Sequence, residues 1–157
     1  MSAKKFVGGL LLLFVAASVV FVVYKEIGAK DGSSPKVDIK KDAHPSMVVV
    51  YYFHGNMRCG SCRTIERLTK KAVHEGFPDE VEKGTVKFVE VNVEEGGNSQ
   101  YVKQYKLSTR SVVVSKLENG KEVKWNRLDK VWQLLSDHNE FINYVQGEIK
   151  KIKSGDS

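Results

Sequence analysis

Apolar residues recur along the chain with two different spacings, which predict a strand followed by a helix. Residues 47–53 are an unbroken run of apolar and aromatic side chains, typical of a strand that is buried on both faces. Over residues 60–75 the apolar residues instead return every three or four positions, which predicts an amphipathic helix. Its predicted inward side chains are Ile65, Leu68, Ala72 and Val73, and Gly76 is expected to end it in a left-handed conformation.

The patterns that follow predict the element order β-α-β-α-β-β-α. Strands are expected at 85–93, 111–117 and 122–126, and an Asn119-Gly120 turn joins the last two as a hairpin. Short helices are expected after Pro78, after Ser99 and over residues 128–135. Asp137, with Glu140 three residues later, predicts the capped start of a last helix, whose inward residues are Phe141, Val145, Ile149 and Ile152. Because helices separate the first three strands, those strands are expected to be parallel.

An uncharged apolar run occupies residues 6–24 near the N-terminus. At about 1.5 Å rise per residue it is long enough to span a bilayer. Lys4 and Lys5 precede it, so the positive-inside rule predicts a cytoplasmic N-terminus and an exported C-terminal domain. We therefore expect residues 1–24 to be a single-pass anchor in contact with lipid, in a bacterial inner membrane, with the domain in the periplasm or outside the cell.

A cleaved signal peptide is the second interpretation of the same segment. The apolar run is longer than a usual signal core, and the small residues 16–18 lie inside it rather than after it. The anchor is therefore the favoured interpretation, and both interpretations export the domain. Residues 25–45 are rich in Gly, Ser and alternating charges, which predicts a flexible linker. The folded domain is expected over 46–153, with 154–157 as a tail.

The net charge of +6 does not indicate a nucleic-acid partner. The lysines are interspersed with acidic residues, and no basic stripe alternates with aromatic side chains. Such a pattern is typical of a solvated surface.

The chain has two cysteines, Cys59 and Cys62, and both lie where the first strand meets the first helix. A domain of about 110 residues can bury a core without disulfide bonds. A disulfide that closes so short a loop would also add little stability. The pair is therefore expected to be reactive, because the positive end of a helix dipole stabilises a thiolate.

The segment Tyr-Tyr-Phe-His-Gly-Asn-Met-Arg-Cys-Gly-Ser-Cys-Arg-Thr-Ile-Glu, with the element order around it, resembles the thioredoxin superfamily. The resemblance covers about residues 47–153. It implies a three-layer α/β/α thioredoxin-like fold with a mixed four-stranded sheet. More specifically, the segment resembles small bacterial membrane-anchored thioredoxin-like proteins labelled ArsF-type, a label that mentions a nitroreductase subunit for nitrophenyl compounds.

The resemblance implies a thiol–disulfide oxidoreductase that needs no cofactor. Cys59 would be the attacking thiolate and Cys62 the resolving thiol of a redox-active disulfide, and the partner would be a protein thiol or disulfide, including a membrane redox protein. Arg58 stands where thioredoxins commonly have Trp, and its guanidinium is expected to favour the thiolate. The plainer interpretation is a solvated loop arginine.

Three departures from the thioredoxin pattern surround the cysteines. Gly-Ser rather than Gly-Pro separates them, so a strongly reducing potential is not implied. Phe53 stands at the position of the buried Asp, six residues before Cys59, and Glu90 on the second strand is a candidate replacement as proton acceptor or else a surface residue. Ser111 stands at the position of the cis-proline, and a trans bond is expected there.

Two other function classes remain as alternatives. Cys59, Cys62 and His54 could hold copper, or the cysteines could share an iron–sulfur cluster, although these three ligands are an incomplete zinc set. His54 is otherwise expected to pack or hydrogen-bond locally. Alternatively, the domain docks on a redox partner without exchanging thiols, using Trp125 and Trp132 as a contact face, although both are expected to be core residues. The direction of electron transfer is left open.

Overall fold

The computed structural model describes residues 45–155. The membrane anchor predicted at residues 6–24, the linker up to residue 44 and the last two residues of the tail lie outside the described residues. Within residues 45–155, no helix combines the length and the apolar character that a membrane crossing requires.

Nine elements follow one another along residues 45–155, and the main elements occur where the sequence predicts them. They are strand β1 (Ser46–His54), helix α1 (Gly60–Gly76), helix α2 (Pro78–Glu82), strand β2 (Val86–Asn92), helix α3 (Gln100–Gln104), strand β3 (Ser111–Glu118), strand β4 (Lys121–Arg127), a 3-10 turn (Asp129–Trp132) and helix α4 (His138–Ser154). The amphipathic helix expected over 128–135 is therefore only the four-residue 3-10 turn.

The four strands form one mixed sheet in the order β2-β1-β3-β4. Strand β1 pairs in parallel with β2 and antiparallel with β3, and β4 is an antiparallel edge. The expectation that the first three strands are parallel is wrong for β3. Helix α3 is only about 8 Å long, too short to return along the roughly 23 Å of a seven-residue strand. The chain therefore re-enters the sheet at the end it left, and Ser111 pairs with Phe53.

The sheet has two faces with different cores. The helical face consists of the residues that pack against α1 and α4, namely Val48, Val50, Tyr52, Val112 and Val114. The aromatic face consists of Val49, Tyr51, Phe53 and Val113. These residues pack against Tyr101 of the short α3 and against Tyr105, which directly follows that helix. Strand β1 is central, so its alternate side chains fill both cores. With its sheet between two helical layers, the domain has the thioredoxin-like α/β architecture that the sequence predicts.

Helix α1 ends differently from the prediction. Gly76 is its last residue, and the cap is Phe77, with φ −141° and ψ 48°, rather than a glycine in the left-handed region. The glycine instead allows the Gln146 side chain of α4 to come close to the helix backbone. A Cβ at Gly76 would lie 2.5 Å from Nε2 of Gln146. That same Nε2 donates a hydrogen bond of 3.1 Å to the carbonyl of Ala72. Gly76 therefore leaves room for the Gln146 side chain, which bonds α4 to α1.

Two predicted local signals are confirmed. Asn119 and Gly120 have φ values of 51° and 77°, the left-handed pair that a tight hairpin turn requires. The Asp137 carboxylate accepts hydrogen bonds from the backbone of Asn139 and Glu140, at 3.1 and 2.9 Å, and so caps α4. The predicted inward residues of α4 are all buried, and they are Phe141, Val145, Ile149 and Ile152.

Candidate functional site

The two cysteines form a disulfide at the start of α1, and their exposure differs sharply. Cys59 is the N-cap residue and is exposed, whereas Cys62 is 2 % exposed. The Cys59 sulfur accepts a hydrogen bond of 3.1 Å from the backbone N–H of Cys62. The first N–H groups of a helix lack partners inside the helix, so they stabilise negative charge that develops on a sulfur there. The site thus pairs one accessible sulfur with one shielded sulfur.

Tyr52 is the first-strand residue that lies beneath the buried cysteine. Its hydroxyl donates a buried hydrogen bond of 2.8 Å to the Cys62 carbonyl. Burial raises the pKa of Tyr52 to about 12, so the phenol stays protonated at neutral pH. Phe53 is on the opposite face, in the aromatic core, with its ring centroid 5.3 Å from those of Tyr101 and Tyr105. Phe53, the residue six positions before Cys59, therefore lies on the side of the sheet that faces away from the cysteines.

Arg58 lies between two carboxylates rather than free in solvent. Its guanidinium forms ion pairs with Glu66 of α1 and, at 2.7 Å, with Glu90 of β2. The hydrogen bond to Glu90 raises the pKa of Arg58 further, so the guanidinium remains charged. We call Arg58, Glu66 and Glu90 the Arg58 cluster. The cluster joins the cysteine loop, the first helix and the second strand at one place.

The two carboxyl groups of the Arg58 cluster titrate differently. Burial raises the pKa of Glu66, and the hydrogen bond and charge of Glu90 raise it further, against the opposing effect of Arg58. Partial burial also acts to raise the pKa of Glu90, but its hydrogen bonds with Arg58 and Glu66 outweigh that effect and hold it below the usual range. Two carboxyl groups that share a site separate in this way because the second negative charge is disfavoured.

Ser111 begins β3 and is buried, and its hydroxyl donates to the Thr109 carbonyl at 2.8 Å. The loop before it is tied to the cysteine loop, because Arg110 donates to the Met57 carbonyl at 3.1 Å. Trp132 in turn donates to the Arg110 carbonyl at 2.8 Å. No cis peptide bond occurs within residues 45–155. The loop at the cis-proline position is therefore held by side-chain contacts.

His54 makes the local contacts expected of it. Its ring lies against that of Tyr52, with the centroids 5.7 Å apart, and its Nδ1 is 3.0 Å from the Gly55 carbonyl oxygen. Across the part of the chain that the structure describes, no three side chains from His, Cys, Asp and Glu are grouped so as to hold a metal ion. The two tryptophans are half-buried against the aromatic and helical cores, as expected.

A groove of ≈ 170 Å³ opens at the same end of the sheet, on the aromatic side. Phe53, Val93, Val102 and Leu107 supply its apolar lining, and the loop 108–110 forms part of its rim. Met57, two residues before Cys59, is 80 % exposed. A partner polypeptide that reached Cys59 would therefore meet both polar and apolar surface.

Sequence reasoning missed two residues of this site, Tyr52 and Glu66. The sequence does not show which face of the sheet Tyr52 occupies, because β1 is apolar throughout and lacks alternating polar residues. Glu66 could have been found, because it is four residues after Cys62 and side chains at that spacing lie on one face of a helix. The apolar periodicity of α1 favours the outer surface for Glu66, because it lies outside the predicted inward set.

Comparisons with known proteins find only distant likenesses to solved thioredoxin structures. No family model and no curated protein matches the chain. Among solved structures, a Schistosoma mansoni thioredoxin pre-protein in the reduced state is 24 % identical, with 69 % of this chain and 82 % of that chain covered and a TM-score of 0.40. A thioredoxin from Trypanosoma brucei brucei is 24 % identical, with 66 % and 76 % covered and a TM-score of 0.39. Thioredoxin O2 from Arabidopsis thaliana in its oxidized state is 22 % identical, with 61 % and 76 % covered and a TM-score of 0.37. Likenesses this distant bear on neither the site residues nor their chemistry.

Proposed function

We propose that this chain is a thiol–disulfide oxidoreductase that uses Cys59 and Cys62. The observation that carries the proposal is the disulfide itself, with one sulfur exposed at a helix N-terminus and the other buried one turn further on. An accessible sulfur can meet a partner, and a shielded sulfur can act only within the molecule. This division of labour is what a two-cysteine exchange reaction needs.

In the reducing direction, the Cys59 thiolate attacks one sulfur of a partner disulfide and expels the other as a thiolate. A mixed disulfide then links Cys59 to the partner. Cys62 loses its proton and attacks the Cys59 sulfur, which forms the Cys59–Cys62 disulfide and releases the second partner thiolate. Two electrons pass from the protein to its partner, and the reverse sequence oxidises a partner dithiol. The reduction potentials of the two pairs decide the direction.

The proposal includes an exported domain held at the membrane by residues 6–24. The apolar run and the two preceding lysines support this location. The ArsF-type resemblance also stays a proposal, and any reduction of a nitro group would require a second protein that carries a suitable cofactor. An impermeant maleimide tests the location, because both cysteines of the chain lie in the domain. After mild reduction, labelling in intact spheroplasts supports export, and labelling only after lysis contradicts it.

Reduction of insulin disulfides tests the exchange chemistry. We expect activity from the full chain, complete loss in Cys59→Ser, and a trapped mixed disulfide in Cys62→Ser. Ser61→Ala is a matched control, because it changes the same short segment without removing a sulfur. Equal rates in the parent chain and Cys59→Ser would contradict the proposal. So would a stoichiometric metal in the purified protein with no oxidisable thiol pair.

A further inference from the structure

The Arg58 cluster lies where the cysteine loop, α1 and β2 meet, and the two disulfide-exchange steps leave its side chains without a role. We propose that Glu66 accepts the proton of the Cys62 thiol when Cys62 resolves the mixed disulfide, and that Arg58 and Glu90 position Glu66 for this. The proposal rests on the proposed function and concerns its second step.

Glu66 lies one helical turn after Cys62 on α1. Residues four apart on an α-helix lie on the same face, and the later side chain leans back over the turn that holds the earlier one. The Glu66 side chain is 24 % exposed, so it borders both the protein interior and solvent. A carboxylate in that position can take a proton from the Cys62 thiol directly or through one water molecule.

The contacts of the cluster hold the Glu66 carboxylate in place. Arg58 donates to Glu66 and, with the same nitrogen, to Glu90 at 2.7 Å. Arg58 comes from the cysteine loop and Glu90 from β2, so the carboxylate on α1 is held by contacts from two other elements. Glu90 also lies opposite Tyr52 in the sheet register, and the Tyr52 hydroxyl donates to the Cys62 carbonyl. The charges of Arg58, Glu66 and Glu90 all act on the Tyr52 phenol, so the cluster lies around the hydroxyl that contacts the Cys62 backbone.

The charges of the cluster suit a group that gives and takes one proton. The two carboxylates share a site, and their pKa values move apart, with that of Glu66 raised and that of Glu90 lowered. Glu66 is thus a stronger base than an ordinary surface carboxylate, while Glu90 stays ionised beside Arg58. The carboxyl group predicted for proton transfer from the sequence, Glu90, supports the acceptor in this arrangement.

The other ionisable groups around the cluster are less suited to the transfer. Tyr52 stays protonated at neutral pH and already donates to Cys62. Arg58 and Arg110 are permanent cations that influence the Tyr52 phenol. The His54 ring contacts Tyr52 and the Gly55 carbonyl, and its charge acts on Glu90. On α1 itself, the cations nearest in sequence to Glu66 are Arg63, Arg67 and Lys70.

The proposed step balances in atoms and electrons. In the mixed disulfide, Cys62–SH passes its proton to the Glu66 carboxylate and becomes a thiolate. The thiolate attacks the Cys59 sulfur, the bond between Cys59 and the partner sulfur breaks, and the partner leaves as a thiolate. Glu66 then returns its proton to solvent or to the leaving thiolate.

Stopped-flow reaction of the reduced full chain with DTNB separates the two steps. Cys59 attack releases one TNB anion, and resolution by Cys62 releases a second, so the absorbance rises in two phases. Between the pKa of Glu66 and that of the thiol, we expect a plateau in the second-phase rate. In Glu66→Gln we expect this plateau to be lost. The second-phase rate at pH 7 should fall at least about tenfold, because general acid–base catalysis contributes more than that. At high pH, where the Cys62 thiol ionises without help, the rate should equal that of the parent chain.

Two further variants separate a proton acceptor from a structural residue. In Glu90→Gln the acid limb of the second phase moves to lower pH, because the Glu90 charge no longer raises the pKa of Glu66. Glu75→Gln, on an exposed residue of the same helix, leaves both phases within twofold. Superimposable second-phase profiles for Glu66→Gln and the parent chain overturn the proposal while the exchange function stands. Release of only one TNB by the parent chain contradicts the exchange function itself.

Discussion

The two faces of the sheet differ in what fills them and in what they hold. The helical face is largely aliphatic and is covered by two helices of 17 residues each. The aromatic face is covered by a five-residue helix and is filled by a cluster of Tyr51, Phe53, Tyr101 and Tyr105. The buried cysteine and the Tyr52 hydroxyl that contacts it belong to the helical face. The aromatic face has no cysteine.

This difference separates stability from chemistry within one strand. Neighbouring residues of β1 point to opposite sides of the sheet, so Tyr52 contacts the Cys62 backbone while Phe53 packs in the core of the aromatic face. A change at one of these two residues should therefore affect a different property from a change at the other. Thin coverage by α3 also means that large rings, rather than helix length, must exclude water from the aromatic face.

Truncation of Phe53 should give the largest effect on stability. Phe53→Ala leaves a cavity among three rings and should lower the free energy of unfolding by about 3–5 kcal/mol, measured by urea titration. Phe53→Leu, with a smaller loss of volume, provides a folded comparison. In the Leu variant we expect both DTNB phases to stay within twofold of the parent chain. A folded variant with an impaired second phase would show that the two faces are not separable.

Removal of the two phenol hydroxyls compares the faces directly. Tyr52→Phe loses the bond to the Cys62 carbonyl, and Tyr105→Phe loses a 2.7 Å bond to Glu122 on the aromatic side. Each change should cost about 1 kcal/mol, with somewhat more at Tyr105 because its acceptor is a carboxylate. Only Tyr52→Phe should alter the resolving phase or the reduction potential of the pair. An equal redox effect in both variants would remove the distinction.

An ion pair at the edge of the helical layer should have the smallest effect. The hydrogen bond from Lys153 is the main cause that lowers the pKa of Glu80. A lowered carboxyl pKa contributes stability above the unfolded pKa, and that contribution is lost as the pH falls through the folded pKa. Lys153→Met should therefore cost less than about 1 kcal/mol at pH 7, because the pair is partly exposed. The difference from the parent chain should shrink as the pH falls through the lowered pKa of Glu80, and a difference that stays constant into acid would contradict this origin.

Much of the fold is readable from local sequence signals. The strand and helix order, the Asn119-Gly120 turn and the Asp137 cap each depend on residues close together in the chain, and all are confirmed. The direction of β3 was not readable, because a connection that contains a helix can end at either end of the sheet. Its outcome depends on the length of α3, which the periodicity does not fix.

The sequence predicts the two cysteines of the site but not the residues that surround them. Their position after a buried strand and at a helix start is a local pattern, and the structure has a disulfide there. The residue beneath Cys62 depends on which side of the sheet each β1 side chain faces, and a strand buried on both faces gives no such signal. In the Arg58 cluster, Arg58 contacts Glu66 and Glu90, which are 8 and 32 positions away in the sequence. Such contacts arise from tertiary packing rather than from spacing.

A redox titration of the full chain tests the central claim most directly. The protein is equilibrated in dithiothreitol buffers of graded potential, and the fraction with two alkylated cysteines is measured by intact mass. The account predicts a reversible two-electron transition between no free thiols and two, which is absent in Cys59→Ser and Cys62→Ser. A pair that stays oxidised until the domain unfolds, or that titrates only as a metal complex, would contradict it.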